Sequence, residues 1–361
     1  MLTPFDDYPI HQTSAPVAVP ASGDRNFFDR YFFNGYTADG SLYFATAFGM
    51  YPNREVADAA FSVARGGRQV SVHASGLCPL DRTRTAIGPI RVVVEEPMRR
   101  HSVHVDAPDH GLRAELTFQA RGGPVMEEPF RVSAGVRTVM DYTRLTQFGS
   151  WTGWVEVDGE RVELPAGAVP GSRDRSWGVR QVGERNPGPP GAFQFFWLWA
   201  PVNFDDFATH FDVNEDADGE RWHQGGYLVP AGEGEVEKAK AVDHRITWRP
   251  GTRWADRAEI DLALPSGDRT VVLEPILEFQ MMGLGYLHPE WGHGVWKGEL
   301  AVAGERWDLP VAEPLAPQHL HVQALCRATM GDRTGVGILE QLVIGPHAPS
   351  GLTGLLDGAQ G

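Results

Sequence analysis

The chain has 361 residues and a formal net charge of −15, from 47 acidic against 32 basic side chains. A phosphate backbone needs basic patches, so this charge excludes nucleic acid as the expected partner. Hydrophobic residues make up 42% of the chain and aromatic residues 10%, which is enough for packed cores and excludes a disordered protein. The length suits two domains of moderate size.

The sequence also predicts the compartment. No stretch approaches the ~20 apolar residues that a membrane span requires. Residues 1–8 carry acids where a signal peptide would carry a basic region. Cys78 and Cys326 are far apart and form no metal-binding spacing, so we interpret both as reduced core residues, with a catalytic thiol as the alternative. We therefore expect a cytoplasmic protein.

Most of the chain has the pattern of short strands separated by turns rich in Gly, Pro and Asp. The clearest predicted strands cover residues 41–48, 69–74, 90–95, 102–107, 113–118, 154–157, 192–199, 257–264 and 270–273. One short helix is predicted near residues 138–145. Because no helical pattern is long enough for a crossover connection, the sequence favours antiparallel barrels or sandwiches.

Residues 151–165 resemble residues 296–310, with eight of fifteen positions identical and no gap. Each copy predicts a strand, a glycine turn and a second strand. We interpret the repeat as an internal duplication of one fold unit, and chance similarity between two hairpins is the alternative. The predicted fold is therefore all-β, with two tandem barrel-like units and few short helices.

The Pro/Gly run at residues 186–191 falls between the two copies. It predicts an N-terminal extension over residues 1–20, a first β domain over residues 21–186, a linker over residues 187–191 and a second β domain over residues 192–361. Small barrels of about eight strands can enclose one apolar ligand.

The segment Arg173–Arg180 concentrates four charges around one tryptophan. In a strand, Asp174, Ser176 and Arg180 share one face and Trp177 lies on the other. A buried Asp174 would have a raised pKa and could donate a proton, with Arg180 as a catalytic cation and Ser176 and Trp177 as substrate-binding residues. In the structural alternative, an arginine stacks on Trp177 to close a barrel and pairs with Asp174.

A second cluster occupies residues 285–296, where glycines and a proline predict a shaped loop. His288 or His293 could act as a general acid or base near neutral pH. The aromatic side chains of this loop would bind an apolar or conjugated substrate: Tyr286, Trp291 and Trp296. We predict that this cluster and Asp174 share one site near the junction of the two units. A separation of Asp174 and His293 by more than about 20 Å would contradict a shared site.

The same loop has a metal-binding alternative. His288, Glu290 and His293 could bind a metal ion, with His319 and His321 as further ligands. Neither spacing matches a recognised zinc signature, and histidines that bond turn carbonyls are common in such loops. The sequence has no phosphate loop, dinucleotide fingerprint or nucleophile elbow. We therefore expect neither a metal nor an organic cofactor.

These two motifs resemble a known family. Gly171–Arg180 and the run His-Pro-Glu-Trp-Gly-His-Gly-Val-Trp at residues 288–296 are similar to the carotenoid 1,2-hydratase (hydroxyneurosporene synthase)/AttH-like superfamily. The resemblance covers about residues 20–345, and its specific part is confined to the two motifs. It implies two tandem lipocalin-like (calycin) β domains that bind a hydrophobic small molecule. Within this group are hydratases of isoprenoid double bonds and fungal proteins that guide pericyclic ring closure without a cofactor.

The sequence therefore predicts a cofactor-independent enzyme of the hydratase, lyase or isomerase type. Its substrate would be a hydrophobic small molecule, isoprenoid or aromatic, on which it acts by acid/base chemistry. One alternative is a non-catalytic carrier or sensor of a lipophilic metabolite. A further alternative is a metal-dependent enzyme that uses the loop with His288 and His293. The oligomeric state is left open.

Overall fold

The structure is a computed structural model that describes residues 2–184 and 194–360. The predicted linker at residues 187–191 lies outside the described residues. The first half of the chain forms β1 (Phe27–Tyr36), β2 (Tyr43–Tyr51), β3 (Val56–Arg65), β4 (Arg68–Leu77), β5 (Ala86–Ile87), β6 (Ile90–Glu96), β7 (Arg100–Ala107), β8 (Leu112–Ala120), β9 (Val125–Met126), β10 (Phe130–Ala134), β11 (Arg137–Val157) and β12 (Glu160–Arg180).

The second half forms β13 (Phe195–Trp199), β14 (Val202–Asn203), β15 (Phe207–Glu215), β16 (Arg221–Pro230), β17 (Glu237–Lys238), β18 (Val242–Trp248), β19 (Ala255–Leu264), β20 (Gly267–Gln280), β21 (Leu300–Asp308), β22 (His321–Met330) and β23 (Arg333–Ile344). The helices of the described residues are single 3-10 turns: Pro4–Asp7, Pro52–Arg54, Pro108–His110, Met281–Leu284, Pro317–His319 and Ala348–Ser350. None of these helices has the length and apolar character of a membrane span.

The two halves form two antiparallel sheets with the same strand order. The first sheet runs β21-β4-β3-β2-β1-β12-β11-β8-β7-β6-β5, where β21 is an addition from the second half, and the second runs β17-β16-β15-β13-β23-β22-β20-β19-β18. In each sheet the first long strand of the unit pairs with the last one, and the other strands follow as meanders on both sides. Pairing of the first strand with the last is typical of up-and-down barrels, and each sheet here keeps two edge strands, β21 and β5 in the first and β17 and β18 in the second. The shared strand order confirms the predicted all-β fold with two related units.

The predicted helix near residues 138–145 is wrong. These residues belong to β11, which pairs with β12 over Met140–Val157 and with β10 at its start. Threonine, valine and tyrosine within this segment favour an extended backbone. The two partner strands then satisfy its backbone groups, as a helix would have done locally.

The two copies of the sequence repeat also fold differently. The first copy is the predicted hairpin of β11 and β12, with its turn at Asp158 and Gly159, which both have positive φ. The second copy forms one continuous strand, β21, and its Gly304 lies within that strand. β21 pairs along its whole length with β4, the edge strand of the first sheet. The prediction of a second hairpin is wrong because this open edge offers β21 a longer partner.

Hydrophobic side chains form three main cores. One lies inside the first sheet around Trp151, and another lies inside the second sheet around Phe196. A third core lies between the sheets and joins residues of both halves, including Phe32, Tyr43 and Phe279. Residues of β1 alternate between the first core and the third because successive side chains of a strand point to opposite faces. The position of a residue in β1, odd or even, therefore decides whether its side chain enters the core inside the first sheet or the core between the two sheets.

Candidate active site

A row of polar side chains crosses the first sheet on the face that packs against the second sheet. Here Arg30 of β1 is opposite Ser176 of β12, and Ser176 is opposite Arg144 of β11. Asp174 lies in the neighbouring row, opposite Phe32. An interface with this many polar groups is unusual for a core and therefore resembles a binding site.

The second sheet faces this row with an acid and two tryptophans. Trp199 of β13 is opposite Glu340 of β23. The rings of Phe32 and Trp199 meet edge to face across the interface, with centroids 6.3 Å apart. The Arg144 guanidinium lies 4.8 Å from the centroid of the Trp197 ring. The polar groups of the two sheets are thus held in one aromatic-lined interface.

The carboxyl group of Asp174 has no bonding partner among the described residues. It forms neither a hydrogen bond nor an ion pair with any residue that the structure describes. Burial raises its pKa from 3.8 to about 7, an effect that Arg144 opposes and Glu127 and Glu340 strengthen. At neutral pH this carboxyl group is therefore close to half protonated, as a group that donates or accepts a proton should be.

His321 of β22 is oriented by a buried acid. Its Nε2 lies 2.8 Å from Glu340 Oε1, and that oxygen also accepts a hydrogen bond from Trp197 Nε1 at 3.1 Å. Burial alone would raise the pKa of Glu340, but the hydrogen bond from His321 lowers it below its usual value. Because Nε2 donates to this carboxylate, Nδ1 keeps a lone pair, and it has no partner among the described residues.

Tyr286 and His293 lie beside this pair. The Tyr286 ring is edge-on to the rings of both His321 and His293, with centroids 4.7 and 4.4 Å away. Burial raises the pKa of Tyr286, and its hydroxyl group has no hydrogen-bond partner in the part of the chain that the structure describes. The Arg30 guanidinium lies 4.9 Å from the centroid of the Tyr286 ring and influences the pKa of Asp174. Asp174 and His293 therefore both lie near Arg30.

His293 is neutral and fully occupied. Its Nε2 donates to the Leu284 carbonyl at 2.9 Å, and its Nδ1 accepts from Arg180 at 3.1 Å. Arg30 Nη1 lies against the ring, 2.6 Å from Nδ1 and 2.5 Å from Nε2. Burial lowers the pKa of His293 well below its usual value, and the two arginines lower it further. We therefore assign His293 a positioning role, since it has no free lone pair for a substrate.

His288 stabilises, through side-chain hydrogen bonds, the turn that begins at this residue. Its Nδ1 accepts the backbone N–H groups of Glu290 and Trp291 at 3.0 and 2.9 Å, and its Nε2 donates to Glu305 at 2.7 Å. The other ring near Glu305 is that of His73, which stacks on Trp291 with centroids 5.6 Å apart. The structure thus places His288 and Trp291 against β4 and β21, among residues that do not contact Asp174.

Replacement of His288 by Ala is expected to destabilise the protein by roughly 1–3 kcal/mol, because two backbone donors lose their acceptor. Urea denaturation measures this loss, and His319→Ala is the control because His319 bonds the Glu313 carbonyl in an exposed turn. Substrate turnover should be unchanged once the protein is folded. A turnover defect in a stably folded His288→Ala protein would contradict a structural role.

Two further predicted residues lie outside this group. Trp177 is on the opposite face of β12 from Asp174, where the register aligns it with Asp29 and Thr143. Trp296 is 45% exposed. The structural alternative for Arg173–Arg180 also differs from what is observed. Arg175 stacks on Tyr31 and Arg180 on Phe28, and within residues 2–184 and 194–360 no arginine stacks on Trp177.

The structure does not assemble the predicted metal ligands. Each has a different partner: His288 contacts Glu305, Glu290 contacts Lys297, His293 contacts Leu284, His319 contacts Glu313 and His321 contacts Glu340. Two other groups bring possible ligand atoms within 4.8 Å of one another: His73, His288 and Glu305, and Glu127, Asp212 and His223. The first fits a metal poorly because His288 Nε2 carries a proton. In the second, Arg144 already neutralises Glu127.

Both cysteines are free. Burial raises the pKa of Cys78 to about 11 and that of Cys326 above its usual value. A thiol with a raised pKa is a poor nucleophile. These environments favour structural roles for both side chains.

The sequence reasoning missed three charged residues of the site: Arg30, Arg144 and Glu340. Two of them carried a signal. Arg30 and Glu340 each interrupt strongly apolar strands, Phe27–Tyr36 and Arg333–Ile344. A charge within such a strand is costly unless it has a partner or a function. Arg144 lies in a polar stretch of β11, so nothing in the local sequence indicated that its side chain is buried.

The chain is similar to one protein family and to several solved structures. A family model described as "Family of unknown function (DUF8625)" matches residues 2–353. No curated protein matches the sequence. Among solved structures, a protein assigned as AttH from Nitrosomonas europaea is 14% identical with a TM-score of 0.57, over 93% of this chain and 98% of that one.

Kievitone hydratase from Nectria haematococca is 11% identical with a TM-score of 0.52, over 87% of this chain and 88% of that one. At these identities the similarity establishes the fold. It confirms the predicted resemblance to AttH-like proteins at that level.

Proposed function

The chain belongs to DUF8625, a family of unknown function, and we propose that it is an enzyme that adds or removes water at a carbon–carbon double bond. Its substrate would be a hydrophobic small molecule held between the two sheets. The observation that carries this proposal is the pairing of Asp174, with its pKa of about 7, and the Glu340-oriented His321 in one interface. One neighbour in fold is a hydratase by name, so the fold is compatible with this reaction.

Asp174 is the proposed acid. Its protonated carboxyl group would transfer a proton to one alkene carbon, which leaves a cation at the neighbouring carbon. The electron-rich faces of Trp197 and Trp199 would stabilise this charge, as they stabilise the Arg144 guanidinium at 4.8 and 5.6 Å. The carboxylate left on Asp174 is tolerated because Arg144 and Arg30 lie nearby.

His321 is the proposed base. A water molecule would form a bond to the cationic carbon and release its proton to the free lone pair of His321 Nδ1. The Glu340 carboxylate holds the ring and stabilises the imidazolium. Transfer of this proton back to Asp174 through solvent completes the cycle, with alkene and water converted into an alcohol. The same steps in reverse remove water from the alcohol. Protonation of one carbon by Asp174 and removal of a proton from another carbon by His321 would instead shift the double bond.

The apolar lining supports a hydrophobic substrate. The third core contributes aromatic rings from both sheets around the polar groups, including Phe130, Trp197 and Trp199. Ligand sites with an apolar lining bind apolar molecules and use a few polar groups to orient them. Isoprenoid alkenes and prenylated or unsaturated aromatic compounds satisfy both requirements.

Incubation of the protein with a panel of such compounds in ¹⁸O-labelled water tests the proposal. Mass spectrometry should show a product that has gained one labelled water, or lost water in the reverse direction, and heat-denatured protein is the control. A panel compound that co-elutes with the protein unchanged would identify a carrier instead. Neither product nor bound compound across the panel would overturn the proposal.

A further inference from the structure

Two arginines, Arg30 and Arg180, lie against His293, and the acids that interact electrostatically with Arg30, Asp58 and Asp174, lie beyond ion-pair distance among the described residues. Arg30 Nη1 and Arg180 Nη2 both approach His293 Nδ1, which has a single lone pair. Arg30 Nη1 also lies 2.5 Å from His293 Nε2, which carries a proton, and Arg30 Nη2 donates to the Leu284 carbonyl at 3.2 Å. The Arg30 Nε is buried without a partner among the described residues. The two guanidinium groups thus carry more N–H donors than the surrounding protein has acceptors.

No carboxylate of the described residues lies within ion-pair distance of either guanidinium group. The residues outside the description, 1, 185–193 and 361, include no Asp or Glu in their sequence. Asp58, which raises the pKa of Arg30, has hydrogen-bond donors of its own: it accepts the Gly294 N–H at 2.7 Å and the Tyr51 hydroxyl at 3.1 Å. Buried arginines are normally paired, because an uncompensated charge in a core is strongly unfavourable.

The surroundings favour an anionic ligand over a missing protein group. Arg30 is only 2% exposed, whereas Arg180 is half-buried over the Phe28 ring, so the pair extends from the interior towards an accessible end. Burial keeps His293 between them neutral, so it neither adds a third positive charge nor compensates the two arginines. Forked guanidinium groups match the oxygen atoms of carboxylates and phosphates.

We propose that Arg30 and Arg180 form a subsite for an anionic oxygen group, a carboxylate or a phosphate, carried by the hydrophobic ligand. This inference rests on the proposed function for the apolar part of the ligand. Tyr286 separates the subsite from His321, because Arg30 lies over its ring and His321 lies at its edge. The anionic end of the ligand would thus be held beside Tyr286, and its apolar part would extend towards Asp174 and His321.

Calorimetric titration with matched pairs of probes tests the subsite without turnover. The pairs are farnesoic acid with its methyl ester, and farnesyl monophosphate with farnesol. Near neutral pH we expect at least one anion to bind about tenfold more tightly than its neutral partner. A preference for the acid alone identifies a carboxylate ligand, and a preference for the phosphate alone identifies a phosphorylated one.

Substitutions at Arg180 locate the effect. Arg180→Gln should reduce the preference to less than about threefold, and Arg180→Lys should restore part of it. The control Arg161→Gln removes a cation that stacks on Trp154 at the surface and should leave the preference unchanged. Equal binding of both members of each pair, absence of binding, or an undiminished preference in Arg180→Gln would each overturn the subsite.

The same titrations separate this inference from the reaction. Asp174→Asn should keep the preference for the anion, since Asp174 repels it when ionised. If the wild-type protein prefers the anion but converts no compound of the panel, the subsite stands and the proposed reaction fails. If a neutral compound is converted and no anion is preferred, the reaction stands and the subsite fails.

Discussion

Replacement of Asp174 by Asn is expected to lower kcat for the alkene substrate by about 10²- to 10⁴-fold, the usual contribution of a positioned acid. An amide cannot donate the proton, yet it keeps the shape of the carboxyl group. In the wild-type protein, hydration should slow as pH rises through about 7, because Asp174 then loses its proton. Steady-state kinetics against pH would check both results.

The same substitution should stabilise the protein at alkaline pH. The pKa of Asp174 is raised from 3.8 to about 7 on folding, so the folded state binds a proton between these values that the unfolded state releases. Stability of the wild type therefore falls as pH rises from about 4 to 7 and is lowest above that range. Asparagine removes this penalty, and we expect a gain of roughly 1–3 kcal/mol at pH 8 that disappears near pH 4.

Asp141→Asn is the matched control, because Asp141 is an exposed residue of the same sheet, 3.6 Å from Arg131. It should change neither kcat nor the unfolding free energy by a measurable amount. Full turnover in the Asp174→Asn protein, or a stability change that is equal at all pH values, would contradict the assignment of Asp174 as a buried acid.

Replacement of Arg144 by Met is expected to destabilise the protein by about 3–5 kcal/mol, because it leaves a buried carboxylate without its cation. Arg144 Nε donates to Glu127 Oε2 at 2.7 Å, and Glu127 is only 2% exposed. Glu127 Oε1 also accepts from the Thr146 hydroxyl at 2.5 Å and Trp199 Nε1 at 3.4 Å, and His210 Nε2 lies 3.4 Å from it. Urea denaturation at neutral pH measures the loss.

A double-mutant cycle separates the charge from the packing of the arginine. Arg144→Met combined with Glu127→Gln should recover part of the stability, since neither side chain is then charged. Arg161→Met, a surface substitution, should cost less than about 1 kcal/mol. A double variant that is less stable than the sum of the two single changes would contradict an uncompensated charge as the cause.

Strand parity made part of the site predictable from the sequence. Within Arg173–Arg180, an alternation of two residues places Asp174, Ser176 and Arg180 on one face, and the structure has them there. The partners of that face were not predictable in the same way. The contact between Asn34 and Gln323 spans 289 residues, and no local pattern specifies which strands of two sheets meet.

Local sequence patterns also gave wrong predictions where pairing with a distant strand determined the structure. Residues 296–310 have the glycine of a hairpin turn, yet Gly304 serves a different need in β21. A Cβ atom at this position would lie 2.7 Å from the His110 ring. The glycine thus permits close packing instead of a turn. Likewise, His288 and His293 are near in sequence but serve different surroundings, since one bonds Glu305 and the other the two arginines.

The position of β21 ties the two halves of the chain together. It is encoded in the second half and completes the first sheet along the edge of β4. A first half expressed alone would present that edge, nine residues of unpaired backbone that are mostly buried in the whole chain, to other chains. A second half alone would carry a strand with no sheet to join. The first sheet is therefore complete only when the second half of the chain is present.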